Sequence, residues 1–428
     1  MKPTKLSVVS ASTLCNVSCD VGMEKLNFVC PAIARPDFRP EWEIANRTDP
    51  IRTTLELILR FARLAGFTNI RVVVEPTGIY HRTLLRIARS LDCQTAFVNA
   101  AHVVAMRTVV FGDKGKTDRR DPIAIDAVAQ QGRLIVHREL PETYQLMRHW
   151  SKLYEDAEHA IINAKSCVHR VLTQLFPDFS FGIDFLFGDS GSAIFRCYGL
   201  NPHKLIEHAP SRILERLRRA STIRRSSVDR LLAEARSSAA AVPAGRATEL
   251  LAHELALVWT DLDTATARRA AARTALESLY AEARAADLRL PAEHRGFVST
   301  LSLARFFAET GPFDDFDSYR QVLKFGGLNL AERKSGKYVG VTKIARCGRV
   351  RMRSVLNQMT LPLVKRDRLF GPYYHRKTGL EKMPGKQAMT AVSRKLVKVL
   401  WGIYYSKDAF DVNRVFTCAS AYGRTAAA

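Results

Sequence analysis

The first 130 residues alternate strand-like and helix-like segments in an order that few folds accommodate. That order constrains the chain more than any single motif does. From Thr13 to Val21, Cys15, Val17, Cys19 and Val21 face one way and Asn16, Ser18 and Asp20 the other, the pattern of a half-buried strand. Gly22 starts a turn, and Leu26 to Ala32 and Glu41 to Ala45 read as a second and a third strand. Ile51 to Ala65 carries Leu55, Ile58, Leu59 and Ala62 at helical spacing, stopped by Gly66. A short apolar strand from Arg71 to Glu75, a helix over Ile79 to Leu91, a strand over Gln94 to Val98 and a helix starting near Thr117 complete the series.

Three strands, helix, strand, helix, strand, helix is the order of the ribonuclease-H-like fold, a mixed sheet with helices on both faces. Acidic residues in that fold stand on the first strand, at the end of the fourth and on the last helix. Asp20, Glu75 and the pair Asp118/Asp121 fall on those three elements. Each has a plainer reading when taken alone. Asp20 reads as a turn aspartate before Gly22, and Glu75 as a solvated strand end. Lys116-Thr117-Asp118-Arg119-Arg120-Asp121 reads as a helix start, with Thr117 as N-cap and aspartate favoured by the helix dipole. Together, however, three separated positions agree with one geometry.

Asp118 and Asp121, three residues apart, are expected on one helix face, where both reach a single metal centre. Lys116, Arg119 and Arg120 around them suit a polyanion brought to that metal. Gathered carboxylates repel one another, and a divalent cation relieves the repulsion. All-oxygen ligands favour Mg²⁺ or Mn²⁺ over zinc. Two such ions about 4 Å apart stabilise the attacking and leaving oxygens of an in-line phosphoryl displacement.

The rest of the composition points the same way. With 428 residues the chain has room for two or three domains, and a formal net charge of +23 implies salt-dependent attraction to nucleic acid. No run of eighteen apolar residues appears, so no membrane span is expected, and the N-terminus lacks the apolar core of a signal peptide. A cytoplasmic protein acting at the nucleoid is the expectation. Eight scattered cysteines, without a Cys-x-x-Cys pair or partner histidines at zinc spacing, read for the most part as buried thiols in a reducing compartment.

Three regions are expected: residues 1–140 as the carboxylate-bearing α/β domain, 141–290 as a helical coiled-coil linker with a basic insert, and 291–428 as a mainly helical C-terminal domain. In the middle region Leu146, Trp150, Leu153, Ala157, Ala160, Ala164, Cys167 and Val171 step by fours and threes until Pro177. Leu251, Leu255, Val258, Leu262, Ala265, Ala272, Leu276 and Leu279 repeat the rhythm, with Arg269 interrupting. Such heptads predict coiled-coil packing, within the chain or between protomers. Between the two runs lies a basic helical stretch with Arg212, Arg216, Arg218, Arg219, Arg224 and Arg225, read as a nucleic-acid contact or a solvated face. The C-terminal region is punctuated by Gly326-Gly327, Gly336, Gly340 and Gly348, among Arg333, Lys334, Lys337, Lys343, Arg346, Arg349, Arg351 and Arg353. Cation-rich loops near aromatic rings suit phosphate and base contacts.

Within that region Ser335 is the best-placed hydroxyl. Lys334 and Lys337 flank it to hold a phosphate, and Gly336 permits close backbone approach. By itself Ser-Gly is a common loop dipeptide. Its meaning comes from a wider pattern: Asp20-Val-Gly, Val74-Glu75-Pro-Thr-Gly, Lys116-Thr-Asp-Arg-Arg-Asp121, Gly327-Leu328, Lys334-Ser-Gly336 and Lys343-Ile-Ala-Arg-Cys-Gly348 occur in one order. In that order the chain resembles the DEDD-type insertion-sequence transposases, a family that includes bridge-RNA-guided recombinases and relatives of the Piv-type DNA invertases. The resemblance spans nearly the whole chain.

The resemblance implies a RuvC-like domain whose tetrad falls on Asp20, Glu75, Asp118 and Asp121 and holds Mg²⁺. It implies Ser335 as the nucleophile of a covalent protein–DNA intermediate, double-stranded DNA as substrate, and a dimer to tetramer in which one protomer's serine completes another's metal site. In its RNA-guided members a non-coding RNA pairs with DNA while the protein reads shape and backbone. This chain departs from the pattern at Pro122, at Ala345 and Cys347, and in a glycine-poor His294-to-Thr300 turn. Other readings remain open: a Piv-type invertase, a RuvC-like junction nuclease using water, a non-enzymatic nucleic-acid-binding scaffold, and an actin-like ATPase. The last lacks a second phosphate loop.

Overall fold

The computed structural model describes residues 13–406, apart from 77, 114, 116, 332–333, 336–337, 340–342 and 366–368. The chain divides into two compact units, the first ending at Glu139 and the second starting at Leu140.

The first unit is a six-stranded sheet. Its strands are β1 (Leu14–Val21), β2 (Lys25–Val29), β3 (Glu41–Ala45), β4 (Asn69–Val74), β5 (Gln94–Val98) and β6 (Leu134–Val136), in the spatial order β3-β2-β1-β4-β5-β6. Strand β2 runs antiparallel to β1 and β3, β4 runs parallel to β1 and β5, and β6 closes the edge antiparallel to β5. Helices α1 (Thr48–Leu64) and α2 (His81–Ser90) cover one face, where Val17, Cys19, Val72 and Val74 pack against Leu55, Ile58, Leu84 and Leu85. Helices α3 (Ala100–Phe111) and α4 (Arg120–Gln130) cover the other, with Val73 and Val98 against Val103, Ile125 and Val128.

The strand and helix order expected from the sequence is present, in a mixed sheet with helices on both faces. Two elements escaped the sequence reading. Helix α3 has no polar face to give its apolar run a period, and β6 is only three residues long. Of the cysteines among the described residues, Cys15, Cys19, Cys30 and Cys93 are buried thiols, as expected, whereas Cys167 and Cys197 are half-buried and Cys347 is exposed.

The second unit is built on two long helices, α5 (Glu142–Leu175) and α11 (Arg246–Ala286). They pair antiparallel within the chain: Tyr144 and Met147 share a core with Tyr280 and Ala283, Ile161 with Leu262, and Val171 with Leu255. The α5 stripe differs from the expected one by about a residue. Leu146 and Leu153 are exposed and Ala160 faces solvent, while Tyr144, Met147, Ser151, Tyr154, Ile161 and Val168 are buried with the expected Ala157, Ala164 and Val171. Between the long helices, α6 (Ile183–Leu186), α7 (Asp189–Tyr198), α8 (Pro202–Ile206), α9 (Pro210–Arg218) and α10 (Arg225–Ala241) build a cap that shares one core with the hairpin's far end. Arg212, Arg216, Arg218, Arg219, Arg224 and Arg225 are exposed on that cap, two of them paired with Glu215 and Asp229.

The C-terminal elements are α12 (Thr300–Thr310), α13 (Tyr319–Phe325), β7 (Leu330–Ala331), β8 (Lys334–Ser335), β9 (Tyr338–Val339), β10 (Lys343–Ile344), α14 (Val350–Val364), α15 (Gly371–Gly379) and α16 (Gly385–Tyr405), and at the near end the hairpin shares a core with the helices among them. Among the described residues no helix is long and apolar enough to cross a membrane.

Candidate active site

Strand register brings the first two carboxylates together. Cys19 of β1 pairs with Val74 of the parallel β4, so Asp20 stands level with Glu75, which follows β4 by one residue. Adjacent strands lie about 5 Å apart. Side chains alternate along a strand. Ser18, two residues before Asp20, donates its hydroxyl to Asp126 Oδ1 of α4 at 3.1 Å, so Asp20 shares the α4 face. Val74 packs on the opposite face, and the same alternation carried to Glu75 returns it to the α4 face.

Helix α4 brings the second pair to the same edge, in a form different from that expected. Asp118 lies in a turn before the helix rather than on its face, and is exposed. The backbone N–H of Arg120 reaches Thr117 Oγ1 at 3.3 Å across the turn before the helix, but the N-cap is Arg119, which makes no side-chain cap bond, and not the expected Thr117. Asp118 lies near Lys25, at the start of β2 and beside the end of β1. The Lys25 ammonium pKa is raised by its hydrogen bond and charge pairing with Glu43, with Asp118 adding to it. Asp121 is in the first turn of α4, 2% exposed, and accepts from Arg107 Nε of α3 at 2.6 Å. Asp20 and Glu75 therefore stand together at the C-terminal edge of β1 and β4, with Asp118 near Lys25, while Asp121 is held by a buried arginine. Among the described residues no group of three His, Cys, Asp or Glu side chains is close enough to hold a metal ion.

Two participants were missed in the sequence. Arg107 gave no signal, because only α3 packed on α4 reveals it. Asp126, 3% exposed, fixes α4 to β1 through Ser18, and Gln130 Nε2 donates to its Oδ2 at 2.5 Å. Burial raises the Asp126 carboxyl pKa, against the lowering effect of those two hydrogen bonds. A carboxyl whose pKa rises on folding favours the folded state fully below its unfolded pKa of about 3.9, and loses that contribution as pH climbs through the folded value. Asp126→Asn keeps an acceptor for Ser18 and removes the buried charge. It is expected to raise Tm by a few degrees at neutral pH, an advantage that shrinks to nothing as pH falls toward 4 in thermal melts. An unchanged difference across that range counts against the assignment.

The flanking cations have distinct settings. Arg119 is exposed, and Arg120 bonds Asp113 at 2.9 Å and lies 5.0 Å over the Phe111 ring. Lys116, Arg333 and Lys337 fall outside the described residues. Lys334 and Ser335 are described in backbone only, as β8, which pairs antiparallel with β9 through Ser335 and Tyr338. This hairpin rises from a stem in which Ala331 of β7 pairs with Lys343 of β10.

The stem's base is a tight crossing. A Cβ on Gly348 would come within 2.4 Å of the Gly327 nitrogen, and Gly327 itself has φ +67°, so neither position admits a side chain without a shift. Arg349 Nε binds the fully buried Glu309 at 2.6 Å, and Arg353 donates to the Gly326 carbonyl at 2.8 Å. Arg351 pairs with Glu155 of α5 at 3.3 Å. These three guanidiniums are thus held by the protein's own groups, whereas Lys343 and Arg346 are exposed, Arg346 at a positive φ of 57°.

Residues 20–177 match the DEDD transposase family of the IS110 type, and residues 297–375 match the transposase IS116/IS110/IS902 family. The first match begins at Asp20 and takes in all four carboxylates; the second takes in Ser335 and the glycine crossing. Together they span more than half of the chain. The chain belongs to the IS110-type insertion-sequence transposases. A search of the curated proteins found no match. The transposase is therefore a DNA-rearranging enzyme of an insertion sequence, with DNA as its substrate.

Proposed function

We propose that this transposase cuts and rejoins DNA with Mg²⁺ (or Mn²⁺) at Asp20, Glu75, Asp118 and Asp121, using Ser335 as nucleophile. The supporting observation is the level placement of Asp20 and Glu75 on the face that α4 covers, with Asp118 near Lys25. An all-carboxylate donor set fits a hard divalent cation. When bound, the metal would stabilise charge on the phosphate being transferred.

The remaining work falls to the chain. The Ser335 Oγ attacks the scissile phosphorus, one deoxyribose hydroxyl leaves, and the phosphoserine ester preserves the phosphodiester's energy for resealing without ATP. Lys334 and Lys337 flank the phosphate. Arg107 neutralises Asp121 and so lowers the repulsion among the acids. Assembly into a dimer or tetramer, coiled-coil contact between protomers, and guidance by a non-coding RNA extend this reading; the charge of +23 is compatible with holding RNA as well as DNA.

Two measurements test it. Supercoiled DNA carrying the element's ends is expected to be cut in Mg²⁺ and spared in EDTA; equal cutting in both removes the metal role. Sequencing of RNA purified with the protein from its host is expected to return one discrete transcript from beside its own gene. Recovery of bulk cellular RNA alone favours unguided, invertase-like action.

A further inference from the structure

The C-terminal elements enclose a groove of about 1190 Å³ between the β7–β10 stem and helices α13, α15 and α16. Its charge has one sign. Lys343 and Arg346 line it from the stem side, Lys377 from α15, and Lys386, Arg394, Lys395 and Lys398 from α16, while no Asp or Glu lines it among the described residues. Lys377 has Glu381 as a local partner at 2.6 Å. Arg394 Nε is buried and has no hydrogen-bond partner among the described residues, a donor that the fold itself leaves unsatisfied.

Two tyrosines line the same groove. Lys398 Nζ stands 5.7 Å from the Tyr319 ring centroid, and the Arg376 guanidinium 5.3 Å from that of Tyr373. The Tyr319 phenol pKa is lowered, first by a hydrogen bond from Arg320 and then by neighbouring cations that include Lys398 and Arg394. A concave wall of cations recognises a phosphate backbone. Aromatic rings beside it add something a paired duplex cannot use, because a base stacks on a side chain only when it is out of its helix.

We propose that this groove holds a single strand of nucleic acid, its phosphates on the α16 and stem cations and its unpaired bases on Tyr319 and Tyr373. The stem strands β7 and β10 line the groove and also carry the hairpin of Ser335, so a strand held there lies within a dozen residues along the chain of the nucleophile. That link to chemistry rests on the recombinase reading; strand binding itself does not require cleavage. DNA and RNA share the recognised chemistry.

The test is fluorescence anisotropy of the full-length protein with labelled dT12, rU12 and a twelve-base-pair duplex, over a range of salt. The triple variant Lys386→Ala/Lys395→Ala/Lys398→Ala is expected to bind single strands at least tenfold more weakly. Its log–log salt slope should fall by about 2, since each lost phosphate contact removes about 0.7. Tyr319→Leu is expected to weaken single-strand binding about tenfold and duplex binding little.

The variant Arg212→Ala/Arg218→Ala/Arg224→Ala removes the same charge at the hairpin cap. An equal loss there would show only general attraction and overturn the groove. So would a groove variant that binds like the parent, or a duplex that binds more tightly than either single strand. Tighter rU12 than dT12 identifies RNA as the occupant, and the reverse DNA. Photocrosslinking of 4-thiouridine- and 4-thiothymidine-bearing strands to the unaltered protein is expected to mark Tyr319 or Tyr373. Crosslinks found only elsewhere overturn the proposal without relying on any variant folding. A groove variant that binds single strands like the parent, in a protein that still cleaves DNA in Mg²⁺, overturns the groove and leaves the catalytic reading standing.

Discussion

Ser335→Ala is expected to abolish the covalent protein–DNA adduct and to lower strand transfer by at least about a thousandfold, the scale on which removal of a nucleophile usually acts. A suicide substrate that traps the ester should give a DNA-linked band on denaturing gels with the parent protein and none with the variant. Ser335 stands on a two-residue strand paired with Tyr338, on a stem whose base is the glycine crossing. Loss of one hydroxyl in that setting is not expected to disturb the core, so melting temperature should stay put. The informative contrary result is continued cutting with no adduct in either protein. Water would then be the nucleophile, and the enzyme would work as a nuclease on the same four carboxylates.

The second large effect concerns Asp121. Its pair with Arg107 is buried on both sides, at 2% and 8% side-chain exposure, with 2.6 Å between Oδ1 and Nε. Asp121→Ala leaves a guanidinium buried without its partner, which costs on the order of 3–5 kcal/mol. Asp118→Asn alters an exposed turn residue and is expected to move stability by less than about 0.5 kcal/mol. Both should destroy cleavage if both serve the metal.

Stability and catalysis separate in the double variant Asp121→Ala/Arg107→Met. Replacing the unpaired cation with an apolar chain should restore most of the melting temperature and none of the cleavage. If Asp121→Ala melts like the parent, the pair carries no structural load. If the double variant cleaves, Asp121 has only a structural role.

Much of the first unit was readable because its strands are amphipathic in the simplest way. Cys15, Val17 and Cys19 against Asn16, Ser18 and Asp20 specify a strand and its apolar face, but not that α4 covers the polar face too and buries Ser18. Glu41–Ala45 and Gln94–Val98 carried clear enough limits to be placed to the residue. Helix α5 shows where such reasoning loses resolution. Leu146 and Leu153 make as good a stripe as Met147 and Tyr154, and the choice between them was made by α11 and α12 packing on the other side. Apolar residues on more than one face leave the register undecided by about one position. The Asp118/Asp121 spacing misled for a related reason: three residues apart share a face only inside a helix, and this helix begins between them.

The sequence by itself determined the element order of the first unit, α3 and β6 excepted, and the excess of positive charge, because each is a property of local period, residue type or count; the four carboxylates and the serine are proposed from it through the family resemblance. Tertiary structure alone decided that Asp20 and Glu75 stand level, that Asp121 is neutralised by Arg107, that Asp126 fastens α4 to the sheet, and that the arginines 349, 351 and 353 hold the fold while the cations of α16 line a groove. The division has a physical cause. A side chain's partner lies tens to hundreds of residues away in the chain, and its burial depends on which helix covers it.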